Sequence, residues 1–169
     1  MYWKHQIGEG VCDLEIQKQQ EGDEVPSLLA VSPKGKYHLF QSRNIQGTAL
    51  PLIASMKSSI HPKTSSTLWC GSFCPFTANH FMLTTNDGFL SLHKQYVICS
   101  FYIRNKIVMT LHHRSITKEE ELVTTEDICD MRVSDCGILS FQWHTEKKGL
   151  FLYSCLDKTT SVGFVDLGK

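Results

Sequence analysis

Short strand-forming runs separated by turn residues dominate this chain and restrict what it can fold into. Residues 81–85 (Phe-Met-Leu-Thr-Thr) and 89–93 (Phe-Leu-Ser-Leu-His) flank residues 86–88 (Asn-Asp-Gly). Asp-Gly tolerates the positive φ of tight hairpin turns, so this segment predicts a β-hairpin. Residues 27–31 and 36–40 flank Ser-Pro-Lys-Gly in the same way. The chain is therefore expected to be built from consecutive antiparallel hairpins.

Two further groups of apolar runs extend this pattern toward the C-terminus. Residues 96–103 and 107–111 are joined by Arg-Asn-Lys, which predicts another hairpin. Residues 137–143 lead through a polar turn to residues 150–155, and a second turn leads to residues 161–165. Short strands in series with little helix favour a β-sandwich, a barrel or propeller blades.

Helical signal is confined to residues 117–131. Thr117 and Glu120 form a capping box, in which the two side chains satisfy exposed backbone donors. The β-branched residues 123–125 weaken a helix, so an acidic surface loop is the alternative. Residues 48–67 contain two prolines and many serines and threonines, and they are expected to form an irregular connection.

Two stretches, residues 69–88 and 139–167, share a layout of apolar strands separated by turns, with an Asp in the second turn. Residues 164–167 (Phe-Val-Asp-Leu) stand where many blades of WD-repeat propellers carry Trp-Asp. The layout therefore resembles divergent blades of the WD-repeat type. The order Trp3-Lys4, an apolar run, Ser-Pro-x-Gly and a second strand is also similar to the N-terminal propellers of outer-ring scaffold nucleoporins.

This resemblance implies a single, mainly all-β domain over residues 1–169, with blade-like units at residues 1–47, 68–112 and 133–167. A blade takes about 40–50 residues and a closed propeller needs at least four blades. The chain would then have minimal blades, form an incomplete propeller, or join another chain that completes the ring. A β-sandwich or a β-trefoil of this length is the alternative fold.

Composition favours a folded intracellular protein without a strong nucleic-acid signature. Lys plus Arg and Asp plus Glu both number 17, and the resulting zero net charge gives no general attraction to nucleic acid or anionic membranes. The basic residues 104–114, which lie close to Phe101 and Tyr102, are interpreted as a charged hairpin tip. The sequence has neither a membrane-length apolar stretch nor a secretory pattern, so a nuclear or cytoplasmic location without membrane insertion is expected.

Seven cysteines and eight histidines offer the main candidate chemistry. Structural zinc sites commonly use Cys-x-x-Cys pairs, whereas the cysteine pairs here are more widely spaced. Buried free thiols are therefore the favoured interpretation. No nucleophile signature, phosphate-binding loop or H-E-x-x-H motif occurs, so we expect no catalytic, cofactor or metal site. The zinc ligands considered are Cys70, Cys74, Cys129, Cys136, His112 and His113.

We therefore expect a non-enzymatic interaction or scaffold module that binds other protein subunits of a larger complex. The alternatives are a small closed barrel or trefoil that binds a ligand or receptor, and a Cys/His zinc-dependent protein. Open blade edges would favour an oligomer or a propeller completed by a partner. Long polar segments on a stiff β scaffold are the expected contact sites. Their predicted contact residues are Lys57, His61, Lys63, Lys118, Glu119, Glu120, Glu126 and Asp127.

Overall fold

The computed structural model describes residues 7–17, 27–41, 52–57, 67–77, 79–103, 106–111 and 121–168. Within these residues the chain forms strands and turns but no helix, which confirms the all-β prediction. The described strands are β1 (Asp13–Ile16), β2 (Ser27–Ser32), β3 (Lys36–Gln41), β4 (Leu52–Lys57), β5 (Leu68–Phe73), β6 (His80–Thr85), β7 (Phe89–Ile103), β8 (Lys106–Leu111), β9 (Glu121–Arg132), β10 (Ile138–Trp143), β11 (Leu150–Cys155) and β12 (Thr160–Phe164).

These strands form three antiparallel sheets. The first sheet has the order β1-β2-β3-β4, and the third has the order β10-β11-β12. In the second sheet β5, β6 and β7 are consecutive neighbours, and β7 pairs with both β8 and β9. β7 can hold three partners because it is 15 residues long: β6 pairs near its start and β8 pairs near its end.

The second sheet is the middle layer, and both of its faces are apolar. On one face Phe81 and Leu83 of β6 pack with Leu29 of the first sheet. On the other face Met82 packs with Trp143 of the third sheet. Side chains alternate between the faces of a strand, so a sheet covered on both faces requires nearly continuous apolar strands. This double burial explains why the five consecutive β6 residues from Phe81 to Thr85 are all buried.

The sheets are arranged like consecutive propeller blades. The first strand of the second sheet, β5, contacts both β1 of the first sheet and β10 of the third. At the outer side, β4 contacts β9. Among the described strands no sheet closes on itself as a barrel. The fold is therefore an open, propeller-like stack of three sheets, as predicted, rather than a two-sheet sandwich or a trefoil.

The turn residues have the expected conformations. Gly35 and Gly88, which end the two best-marked turns, have φ values of +73° and +87°. Gly88 also packs so closely against the carbonyl oxygen of Ser134 that an added Cβ would overlap it. The β6–β7 turn therefore packs directly against the connection between β9 and β10. The amide of Val133 in that connection donates to the Gly88 carbonyl at 2.9 Å.

Two predictions of local structure are wrong. The segment predicted as helix or acidic loop contains β9, which pairs with β7 over most of its length; residues 117–120 of that segment lie outside the described part of the chain. The long edge of β7 offers backbone partners that a capping box cannot match, and the β-branched residues 123–125 suit a strand. The segment predicted as an irregular connection contains β4, which pairs with β3.

Candidate functional site

Two carboxylates of β1 fasten the first sheet to the second. An oxygen of Asp13 accepts a hydrogen bond from the amide of Gly71 at 2.9 Å. The Glu15 carboxylate accepts one from the amide of Phe73 at 2.6 Å and another from the Ser72 hydroxyl at 3.2 Å. Carboxylates that accept backbone hydrogen bonds between strands have a structural role. Neither is placed as an acid or base for catalysis.

A small pocket lies where β1, β5 and β10 meet. Its volume is about 120 Å³, and Glu15, Phe73 and Trp143 contribute to its walls. The indole Nε1 of Trp143 donates to the carbonyl oxygen of Ser72 at 3.4 Å, which ties the third sheet to the second at this point. Ligand pockets usually span about 300–1,000 Å³. This pocket is too small for that role, and the Glu15 carboxylate in its wall already accepts hydrogen bonds from β5.

The most conspicuous surface is the outer face of the third sheet, defined by Leu152, Val162 and Phe164. These side chains are 46%, 65% and 67% exposed. Leu152 and Val162 are register partners on β11 and β12. Phe151, the neighbour of Leu152 in the chain, points to the opposite face and is buried in the core shared with the second sheet. The third sheet thus has apolar side chains on both faces, and no described part of the chain covers the outer one.

An edge strand borders this outer face. β12 is the last strand in the order β10-β11-β12, so one of its sides carries backbone groups that are not paired within the sheet. Its sequence, Thr-Ser-Val-Gly-Phe, has no proline or charged residue. Native edge strands are commonly protected by such residues because an open edge recruits another strand. The outer face and the β12 edge together form a surface suited to a β-rich partner.

The opposite end of the stack has a smaller apolar surface. Leu14 and Ile16 of β1 are 60% and 68% exposed. They alternate with Asp13 and Glu15, which bind the second sheet, so the two apolar side chains point away from it. This exposure is confined to the β1 edge, because Ala30, His38 and Phe40 on the same face of the first sheet are buried.

The predicted contact residues are only partly within the described chain. Lys57 ends β4, and Glu126 and Asp127 lie on β9, where the side chain of Glu126 is exposed. Because β4 contacts β9, the structure brings these strands to the same outer side of the stack. The remaining five residues lie outside the described ranges: His61, Lys63, Lys118, Glu119 and Glu120.

Sequence reasoning missed the outer face of the third sheet. The signal was present in residues 150–153 (Leu-Phe-Leu-Tyr), where apolar residues occupy both strand faces. A doubly apolar strand is expected in a middle layer, but here it belongs to the last described sheet of the stack. The sequence alone does not state which strands have a neighbouring sheet.

The cysteines considered as zinc ligands do not assemble into one site within the described residues. The Cys70 sulfur lies 2.9 Å from the Thr84 hydroxyl oxygen, and burial raises the pKa of Cys70 to about 11. Burial also raises the pKa of Cys129, while Cys74 belongs to the core. Raised pKa values disfavour the thiolate that a nucleophile needs. Cys136 instead lies beside Cys155 and Asp157. His112 and His113 are outside the described residues.

No protein-family model matches the chain, and no curated protein sequence is similar to it. Among solved structures, the computationally designed Ika4 protein overlaps 98% of this chain and 96% of its own, with 10% sequence identity and a TM-score of 0.39. A likeness at this level carries no conclusion about function. Within the described residues, no helix is long and apolar enough to cross a membrane.

Proposed function

We propose that this chain is a non-enzymatic interaction module, a scaffold subunit of a larger intracellular complex, nuclear or cytoplasmic. Its partner is a protein subunit that places an apolar β-sheet against the outer face of the third sheet. The observation that carries the proposal is the exposure of Leu152, Val162 and Phe164 beside the β12 edge. Solvent-exposed apolar side chains gathered on one face are typical of protein interaction sites.

The manner of docking follows from the packing already present between the sheets. The second sheet covers the inner face of the third through Met82, Leu90 and Leu92, which pack with Trp143 and Phe151. A partner sheet on the outer face would repeat this layered packing, and a partner strand beside β12 would satisfy its outward backbone groups. The resemblance of residues 139–167 to a divergent WD-repeat blade supports the same proposal, because blades of that type are covered on both faces.

The experiment compares partner recovery by the wild-type chain and by the double variant Val162→Asp/Phe164→Asp. Two carboxylates on the outer face would have to be buried without partners, so we expect loss of at least about tenfold in affinity. Proteins recovered with the wild-type chain from cells are identified, produced in purified form and titrated against both chains. Support requires direct binding by the purified partner and its loss in the double variant.

The matched control is Val11→Asp. Val11 is 39% exposed and lies just before β1, a strand of the first sheet. This variant should bind the purified partner as the wild-type chain does. Equal binding by all three chains would overturn the proposed docking face.

The eight contact residues predicted from sequence form a second, separate part of the proposal. Charge reversal of Lys57, Glu126 and Asp127, the three on described strands, tests the outer side where β4 contacts β9. Unchanged binding of the purified partner would exclude these residues from the interface and leave the outer face of the third sheet as the sole contact proposed.

A further inference from the structure

Two thiols and a carboxylate converge at the end of the third sheet. The Sγ atoms of Cys136 and Cys155 and a carboxylate oxygen of Asp157 all lie within 4.8 Å of one another. Cys136 belongs to the connection between β9 and β10, whereas Cys155 ends β11 and Asp157 lies in the following turn. Among the described residues this is the group of three that could hold a metal ion.

The backbone holds the two segments in fixed positions. The amide of Leu156 donates to the carbonyl of Gly137 at 2.9 Å, which joins the β11–β12 turn to the β9–β10 connection. Around the turn, the amide of Cys155 donates to the carbonyl oxygen of Thr159 at 3.0 Å. The amide of Lys158 donates to the carbonyl oxygen of Cys155 at 3.1 Å. Lys158 has a φ of +69°, which is uncommon for a residue with a side chain. The turn therefore has a defined conformation that positions its ligand atoms.

The side chains are also oriented before any ion binds. The Sγ atom of Cys136 lies 3.2 Å from the hydroxyl oxygen of Ser134, which also accepts a hydrogen bond from the Cys136 amide at 3.1 Å. One oxygen of Asp157 accepts hydrogen bonds from the hydroxyl and the amide of Thr159, at 2.6 and 2.9 Å. These bonds fix the orientation of the carboxylate, which has an oxygen within 4.8 Å of both sulfur atoms.

We propose that Cys136, Cys155 and Asp157 form a binding site for a zinc-type divalent metal ion, with water as the fourth ligand. Zinc binds thiolate sulfur at about 2.3 Å and carboxylate oxygen at about 2.0–2.2 Å, so ligand atoms in a tetrahedron are about 3.5–3.8 Å apart. From separations of up to 4.8 Å, the three atoms need to approach one another by about 1.3 Å at most. Two thiols and a carboxylate suit zinc better than calcium or magnesium, which prefer oxygen ligands.

Binding releases the protons of the two thiols, because the thiolate is the form that coordinates the metal. The ion would join the connection that enters the third sheet to the turn that begins β12. It would therefore stabilise the third sheet where β12 begins, independently of whether a partner protein docks on the outer face.

The test uses the full chain, prepared free of metal under a phosphine reductant, and titrated with Co²⁺. Thiolate-to-cobalt charge transfer gives near-ultraviolet absorption only if sulfur coordinates the ion. We expect this absorption to saturate at about one Co²⁺ per chain and to disappear when Zn²⁺ is added. Zn²⁺ should also raise the melting temperature of the wild-type chain.

Three variants make the result specific. Cys136→Ser should abolish the charge-transfer absorption, and Asp157→Asn should weaken Co²⁺ binding by at least about tenfold, since even outer-shell changes commonly cost that much. Cys129→Ser, which alters a half-buried thiol outside the site, should bind as the wild-type chain does. Asp157 is exposed, so its variant should fold even if the Cys136 variant does not.

Absence of charge-transfer absorption in the folded, reduced wild-type chain would overturn the proposal. Equal absorption in the wild-type chain and in folded Cys136→Ser would also overturn it, because other thiols would then be the ligands. A disulfide between Cys136 and Cys155 that persists under the reductant would be a third contradicting result, since it removes both sulfur ligands.

Discussion

The thiol of Cys70 titrates differently in the folded and the unfolded chain. Burial raises its pKa from 9.0 to about 11. The folded state thus holds the thiol proton more tightly than the unfolded state does. The resulting stabilisation is fully present below pH 9.0 and is lost as the pH rises through about 11. A shift of this size corresponds to roughly 2–3 kcal/mol.

Replacing Cys70 with serine tests this coupling. Serine does not titrate in this range, but its hydroxyl can keep the hydrogen bond that the thiol makes with Thr84. Between about pH 8 and pH 11, the free energy of unfolding measured with urea should fall less for Cys70→Ser than for the wild-type chain. Burial also raises the pKa values of Cys12 and Cys129, so part of the alkaline loss should remain.

The control is Ser140→Ala, measured over the same pH range. The Ser140 side chain is exposed and does not titrate in this range, so its removal should leave the alkaline slope close to that of the wild-type chain. If Cys70→Ser and the wild-type chain lose stability equally, the Cys70 thiol is not responsible for the alkaline loss.

At the scale of elements, strands were predictable where apolar patterning and turn residues agreed. β6 and the start of β7 surround Asp-Gly, and β10, β11 and β12 follow one another at short spacing. β9 was not predictable, because the β7 residues that it pairs with lie 22 to 43 positions earlier in the chain and a helix-cap pattern directly precedes it. Tertiary pairing can override local propensity in this way.

The candidate sites likewise have features that the sequence predicts and features that depend on the tertiary structure. The apolar character of β11 on both faces was visible in its sequence, but only the order of the sheets identifies which face is uncovered. Cys136 and Cys155 are 19 positions apart in the sequence, with no metal-binding spacing to connect them. Their proximity results from the hairpin of β10 and β11, which brings the two ends together at the Ile138–Cys155 pair.

The close pairing of β12 with β11 depends on Gly163. This residue is the register partner of Phe151, and a Cβ built on it would overlap two atoms of the Phe151 ring. The ring is only 2% exposed and also packs against Trp143, at a centroid distance of 5.8 Å. Because the ring has little space to move into, Gly163→Ala should lower the free energy of unfolding by about 1–3 kcal/mol in urea denaturation.

Gly10→Ala is the control for this substitution. A Cβ at Gly10 would meet no atom within 4 Å, and Gly10 is not among the described residues with positive φ. Its free energy of unfolding should stay within about 0.5 kcal/mol of the wild-type value. If both variants lower the free energy of unfolding by similar amounts, the contact with Phe151 does not determine how β12 packs on β11.

At the scale of the whole molecule, the described residues include exposed apolar side chains at both ends of the stack. The first sheet presents Leu14 and Ile16, and the third presents Leu152, Val162 and Phe164. A chain purified without its partner should therefore self-associate, with a mass that rises with concentration in light scattering. Reductant and chelator should not prevent this association, because it buries apolar surface and needs neither disulfides nor metal.

The variants distinguish how the copies meet. If the first-sheet end of one copy contacts the third-sheet end of the next, the contact is heterologous and can extend or close into a ring. Then either double variant, Leu14→Lys/Ile16→Lys or Val162→Lys/Phe164→Lys, should restore a monomer on its own. If each end instead contacts the same end of another copy, each variant should form a dimer through the end that was not substituted.

A wild-type chain that stays monomeric at every concentration would show that these end faces do not need covering. The third sheet would then tolerate its exposed apolar face alone, and the case for a partner there would lose its physical basis.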